Sequence, residues 1–211
     1  MFLNLLGAAE GALIRAAAST QTLYASRSNQ ASRFTVSNKI YNPQSWIDPR
    51  IEIRTSPIGG KGMFAREPVR AGETVIVWGG VVLTKEDLQS GNYRKATLSA
   101  IGENLWLGDA PDGEDFAADY TNHSCDPNLW MADENTLTAR RDISTGEELT
   151  ADYMMWEANE DYQAAWQCSC GSRLCRRQIS GKDWRLPELQ ARYKNHFSPF
   201  LNKRIAKEKS R

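Results

Sequence analysis

Beyond residue 50 the chain is a succession of short apolar runs separated by glycine, and few of those runs are long enough for a helix. Ile51-Glu52-Ile53-Arg54-Thr55 alternates apolar and polar positions, the period of a half-buried strand. A glycine-rich turn follows over residues 58–65, and Ala71-Gly72-Glu73 turns the chain into residues 74–78, where β-branched side chains predict a second strand. Gly79-Gly80 breaks it, and Val81-Val82-Leu83 resumes as another. Thr84 with Asp87 three residues on has the form of a helix N-cap, so a short helix is expected over residues 84–90. Further strands fit around Leu98, residues 105–107 and residues 136–140, and the turn at residues 144–147 leads into an extended run at 148–152. A short helix is expected over residues 157–166. Pro187 opens a C-terminal helix at its first turn, which Pro199 should interrupt.

Many short strands, few long helices and no βαβ rhythm give a mostly β fold with α decorations. Gly59-Gly60-Lys61-Gly62 lacks the Lys-Ser/Thr ending of a phosphate-binding P-loop. It is followed by a strand rather than a helix, which excludes a dinucleotide fingerprint. No internal repeat is present.

Composition is that of an ordinary globular protein with zero formal net charge, but the balance hides an asymmetry. Residues 101–161 hold many acids, no lysine, and only Arg140 and Arg141 as bases. From residue 176 to the end bases dominate, opposed only by Asp183, Glu188 and Glu208. An acidic middle suits a basic partner, although two solvated faces that attract each other fit equally. The apolar run over residues 2–18 is interrupted by Asn4, Glu10 and Arg15, so it does not read as a membrane span, and it lacks the basic start of a secretory signal. The first forty residues carry Arg15, Arg27, Arg33 and Lys39 against the single acid Glu10, which resembles an organelle transit peptide. An untargeted tail with one amphipathic helix is the preferred reading, because transit peptides are poor in acids. Nucleus or cytoplasm is favoured over an organelle.

The chemistry concentrates in four cysteines. Cys168, Cys170 and Cys175 lie close together, and Cys125 lies far upstream within Asn122-His123-Ser124-Cys125-Asp126-Pro127-Asn128. A thiolate set of this size suits one structural, tetrahedral Zn²⁺ that would clamp a C-terminal segment onto a central loop. Disulfides would need an oxidising compartment, and a redox pair more often reads Cys-x-x-Cys.

Three motifs stand in a fixed order ahead of the cysteine trio: residues 60–65 (Gly-Lys-Gly-Met-Phe-Ala), residues 122–128, and residues 146–153 (Gly-Glu-Glu-Leu-Thr-Ala-Asp-Tyr). With the Cys-x-Cys-Gly-Ser-x-x-Cys trio, this order resembles the SET-domain family of protein lysine methyltransferases with a post-SET zinc segment, in its small stand-alone form, over about residues 51–177. The resemblance implies small β-sheets around a pseudoknot in which residues 148–153 thread under the 122–125 loop. It implies S-adenosylmethionine as methyl donor and a lysine-presenting protein substrate, a histone tail or another basic segment. Tyr153 would be the catalytic residue, its phenol orienting the lysine amine. Asn122 and His123 would hold the cofactor, with the Asn122 side chain toward its methionine end. Lys61, Gly62 and Met63 would form the loop whose backbone approaches it. Tyr120 stands where the family has an aromatic residue lining the cofactor or lysine channel, and core packing fits it equally. Cys125, Cys168, Cys170 and Cys175 would be the zinc ligands. Ile179 and Trp184 fit either a lid over the cofactor or core packing.

The implied division is an N-terminal extension at 1–45, disordered or targeting; a SET domain at 46–160; a post-SET zinc segment at 161–180; and a basic C-terminal helix at 181–211. That basic end offers itself to nucleic acid, although the reaction requires no such contact. Two features depart from the family pattern: Cys175-Arg176-Arg177 where Cys-Arg-Gly is common, and Asp119-Tyr120-Thr121 ahead of Asn122 where Arg-Phe-hydrophobic is common. Two rivals stand beside the enzyme: a catalytically silent module that binds a basic tail, and a redox or zinc-storage protein.

Overall fold

A computed structural model of the chain describes residues 39–91, 93–94, 98–109 and 117–211; the helix expected over the N-terminal apolar run lies outside them. Among the described residues, three small sheets build the unit that runs from Tyr41 to Arg211. In the first, β1 (Trp46–Ile47) pairs with β4 (Thr74–Val77), which pairs with β10 (Thr136–Ala139), which pairs with β9 (Leu129–Met131). In the second the order is β2 (Ile51–Thr55), β3 (Lys61–Ala65), β11 (Glu148–Ala151) and β8 (Asn122–His123). The third has β7 (Leu105–Gly108) between β5 (Val81–Thr84) and β6 (Leu98–Gly102).

The second sheet positions the site. β2 and β3 pair antiparallel from Ile51 opposite Ala65 to Thr55 opposite Lys61. Their turn is closed by the Ser56 N–H donating to the Gly60 carbonyl at 2.9 Å, with Gly60 at φ 55°, a conformation glycine adopts without steric cost. The other edge of β3 takes β11, and β11 runs parallel to β8, with Thr150 opposite Asn122 and Ala151 opposite His123. A parallel pair cannot be joined by a tight hairpin. The connection here is the antiparallel pair β9 and β10, which belongs to the first sheet.

The short helix after β5 is α1 (Lys85–Ser90), capped by Thr84, whose hydroxyl accepts from the Asp87 N–H while the Asp87 carboxylate accepts from the Thr84 N–H. This capping box answers the sequence signal. The helix expected over residues 157–166 is absent. Glu157 Oε1 accepts from the Asn159 N–H at 2.7 Å and Asn159 Oδ1 from the Asp161 N–H at 3.1 Å, so short polar side chains take the backbone donors a helix would use. The rest of the segment pairs across the chain, Ala164 N–H to the Ile179 carbonyl and Gly181 N–H to that of Tyr162.

The single C-terminal helix is two. α2 (Pro187–Tyr193) ends where Lys194 takes φ 44°. α3 (Pro199–Lys209) begins at Pro199, with the Ser198 hydroxyl accepting from the Leu201 N–H. Pro199 opens a helix instead of interrupting one because the first helical position needs no N–H donor. Trp184, Tyr193 and Phe197 are fully buried with Met63, Leu129, Leu149 and Ala151. Core packing therefore describes Trp184.

Candidate active site and cysteine centre

Strand β11 ends at Ala151, and the chain tightens into a 3₁₀ turn over Tyr153–Met155 capped by the Asp152 carboxylate, which accepts from the Met154 N–H at 3.1 Å. The cap sets the direction of Tyr153. Its hydroxyl donates to the Thr121 carbonyl at 2.8 Å, its backbone N–H to His123 Nδ1 at 3.3 Å, and its ring lies 5.1 Å from that of His123. The parallel pairing of β8 with β11 therefore brings Asn122, His123 and Tyr153 to one place. Burial pushes the Tyr153 phenol up to about 12, so it is protonated at neutral pH and able to donate a hydrogen bond. Burial lowers His123 to about 4 against the opposing charge of Asp152, so its imidazole is neutral.

The glycine turn meets the same strand. Asn122 Nδ2 donates to the Lys61 carbonyl at 3.0 Å and to Glu148 Oε1 at 2.8 Å, and the Ser56 hydroxyl donates to the same carboxylate. A Cβ on Gly62 would collide with Glu148 Oε1, lie 2.9 Å from Ser56 Cβ and 3.0 Å from Asn122 Nδ2. Lys61 Nζ stands 4.9 Å from the centre of the Tyr120 ring, close enough for a cation–π contact. Tyr120 is half-buried and also packs against the core, and Met63 is a core residue whose Sδ accepts from the Thr121 hydroxyl.

On the other side of Tyr153 opens a cavity of about 890 Å³. Its wall includes Trp78, Trp106, Tyr153, Trp156 and Tyr162, with Trp156 4.8 Å from Trp78 and 5.6 Å from Tyr153. The lining carries more acids than bases, Glu103, Asp109, Asp119, Glu157, Glu160 and Asp161 against Lys85 and Arg204, with Asp109 and Asp119 paired to Arg94, Glu160 to Arg185 and Glu103 to Arg204, and with Asp161 exposed at the rim. Lys61, Gly62, Asn122 and His123 do not line it. Tyr153 belongs to both sides. Trp166 lies outside that lining, its ring 5.5 Å from that of His123 and 6.3 Å from that of Tyr153. The sequence motifs did not point to Trp156, Tyr162 or Trp166; the place of Trp166 two residues before Cys168 is the one signal that could have found it.

The four cysteines converge, with all Sγ atoms within 4.8 Å of one another and Cys125 Sγ 3.8 Å from Cys168 Sγ. A tetrahedron of thiolates around Zn²⁺ at about 2.3 Å needs sulfur–sulfur distances of about 3.8 Å, so the donor set fits that ion. Burial raises the Cys125 thiol to about 11 and raises that of Cys168 further. Burial also opposes ionisation of Cys170, but backbone and side-chain hydrogen bonds outweigh it and lower the thiol to about 7. His123 Nε2 lies 3.4 Å from Cys125 Sγ, which places the centre against the candidate active site.

Residues 60–154 match the model of the SET domain. Over that stretch the chain is similar to SET domains. Among curated relatives, the chain is 32% identical over 142 residues to histone-lysine N-methyltransferase 2B of Homo sapiens, covering 62% of this chain and 5% of that protein. It is 32% identical over 137 residues to histone-lysine N-methyltransferase ASHH3 of Arabidopsis thaliana, covering 58% of this chain and 36% of the relative. The chain thus spans from a twentieth to about a third of these relatives' length. Its fold is similar to the crystal structure of Arabidopsis thaliana SUVH6 in complex with SAM, with a TM-score of 0.50 and 19% identity over 63% of this chain and 33% of that one.

Proposed function

We propose that this chain is a SET-domain protein-lysine N-methyltransferase that uses S-adenosylmethionine and acts on a lysine within a basic protein segment such as a histone tail. The observation that carries the reading is the place of Tyr153, its hydroxyl fixed on the Thr121 carbonyl between an acid-rich aromatic cavity and the Asn122–His123 strand.

S-adenosylmethionine supplies an electrophilic methyl group on a sulfonium. Lys61 offers a cation and Asn122 an amide to the charged amino-acid end of that molecule, and the backbone at Gly62 and Met63 lies beside them. The excess of acids in the lining draws in a basic segment, and Trp106, Trp156 and Tyr162 enclose the aliphatic stem of its lysine. Lysine has an ordinary pKa of about 10.4 and must react as the neutral amine; burial beside the sulfonium cation favours that form. The Tyr153 oxygen and the Thr121 carbonyl then hold the amine in line, and alignment supplies much of the rate. The cysteine centre, holding Zn²⁺, ties the segment that carries Trp166 against the site. Among the described residues no helix is long and apolar enough to cross a membrane.

The test is transfer of labelled methyl to core histones and to a whole-protein lysate, wild type beside Tyr153→Phe. Label that depends on Tyr153 supports the enzyme. Cofactor binding without label in either sample points to a narrow substrate absent from both, and no cofactor binding at all turns the reading toward a silent module that binds a basic tail.

A further inference from the structure

Asp152 is fully buried and lies between the strand that pairs with His123 and the tyrosine that closes the site. Its two oxygens are bound by the Arg176 guanidinium, Nη1 to Oδ2 at 2.7 Å and Nη2 to Oδ1 at 2.9 Å, and Oδ2 also accepts from the Tyr193 hydroxyl at 3.0 Å. Oδ1 additionally caps the turn that aims Tyr153, through the Met154 N–H. The third guanidinium nitrogen of Arg176, Nε, donates to Asp183 at 2.9 Å, so the fork has no free rotation. The backbone of the same residue faces the cysteine centre: the Arg176 N–H donates to Cys125 Sγ at 3.3 Å, and Arg176 follows Cys175 directly. One residue therefore touches the sulfur cluster with its main chain and the carboxylate behind Tyr153 with its side chain.

We propose that Arg176 is the positioning residue that couples the four-cysteine centre to Tyr153. Closing the thiolates around a metal fixes residues 175 and 176, the guanidinium fixes Asp152, and Asp152 fixes the turn in which Tyr153 stands. The proposal rests on the reading of Tyr153 as the catalytic group, but the movement it describes can be followed without any turnover.

The experiment uses the full chain with ¹³C-labelled tyrosine. The Tyr153 ring signal is identified by its loss in Tyr153→Phe, and Zn²⁺ is added to the chelator-treated protein. In wild type the Tyr153 signal moves to a new position as zinc binds. The double variant Arg176→Met with Asp152→Asn removes both charges of the Arg176–Asp152 pair, so that neither member of that pair is left unpaired, and keeps a side-chain oxygen to cap Met154; Asp183→Asn is added to both the variant and its control because Arg176 also holds that carboxylate. The double variant should take up zinc, yet its Tyr153 signal should no longer follow the metal, and kcat should fall about 100-fold at nearly constant KM, the scale of a small misplacement of a reacting group. Arg176→Lys, which retains the charge without the fork, should restore part of both readouts. A Tyr153 signal that follows zinc in the double variant as in wild type, or a wild-type kcat in that variant, overturns the proposal. If wild type transfers no methyl group at all, the functional reading fails and the ring signal still decides the coupling.

Discussion

The hydroxyl of Tyr153 rests on the main-chain carbonyl of Thr121, 2.8 Å away, so the candidate catalytic group is oriented by backbone rather than by a second side chain. Tyr153→Phe keeps the ring contacts with His123, Trp156 and Trp166 and removes only this bond. Methyl transfer should fall by about 10²–10³-fold, the usual cost of deleting one oriented hydrogen-bonding group at a reacting centre. Cofactor affinity, measured by calorimetry, should change by less than the rate does.

A methyl group on Gly62 has nowhere to go between Glu148, Ser56 and Asn122, whereas a Cβ on Gly59 meets nothing within 4 Å. Gly62→Ala should destabilise the fold by about 1–3 kcal/mol, as overpacking does, and should weaken cofactor binding by displacing Asn122. Gly59→Ala should leave both close to wild type. Denaturant unfolding with cofactor titration on the two variants checks the contrast.

Removing the metal should loosen the segment around Cys168, Cys170 and Cys175. Elemental analysis should find one zinc ion for the four thiolates. Chelation, or Cys168→Ser, should lower the melting temperature by roughly 5–10 °C, which corresponds to about 2–3 kcal/mol in a domain of this size. An unchanged melting temperature with full chelation would exclude a structural ion.

His123 titrates at about 4 in the folded chain against an ordinary value of 6.5. Between those values the unfolded chain binds more protons, so stability rises with pH. The contribution of neutral His123, about 3.5 kcal/mol at about 1.4 kcal/mol per unit, is complete above pH 6.5 and is lost as pH falls toward 4. Chemical denaturation of the metal-free chain across this window should show the slope, and His123→Asn should flatten it.

Asp161 is exposed on the cavity rim. Asp161→Lys should raise KM for a basic peptide about 3–10-fold at low salt with kcat nearly unchanged, and added salt should shrink the difference because exposed charges are screened.

The strands β2 and β4 and the capped helix α1 are legible in the sequence because alternation, β-branching and a capping box act within a few residues. The missing helix over residues 157–166 is not, since its backbone pairs with residues 179 and 181, a partner no local pattern announces. The parallel contact of β8 with β11 likewise came from the family resemblance and not from periodicity. In the site, Tyr153, Asn122 and His123 are marked by their motifs, and the structure brings them together. Trp156 and Tyr162 carry the same local signature as core aromatics, so only the closed structure reveals the wall they form, and the same holds for Trp166 beside His123 and Tyr153. Arg176 reads as one more base of a basic tail, yet its guanidinium is held on a buried carboxylate.

The parallel pairing of Asn122 with Thr150 also has a kinetic meaning. The two halves of the site are separated by the β9–β10 pair, and closing such a loop costs entropy before any contact returns it. Asn122, His123 and Tyr153 should therefore come together late in folding, after the hairpin between them has formed. Affinity for the methyl donor then becomes a reporter of the finished fold, absent from any collapsed intermediate in which the two strands have not yet met.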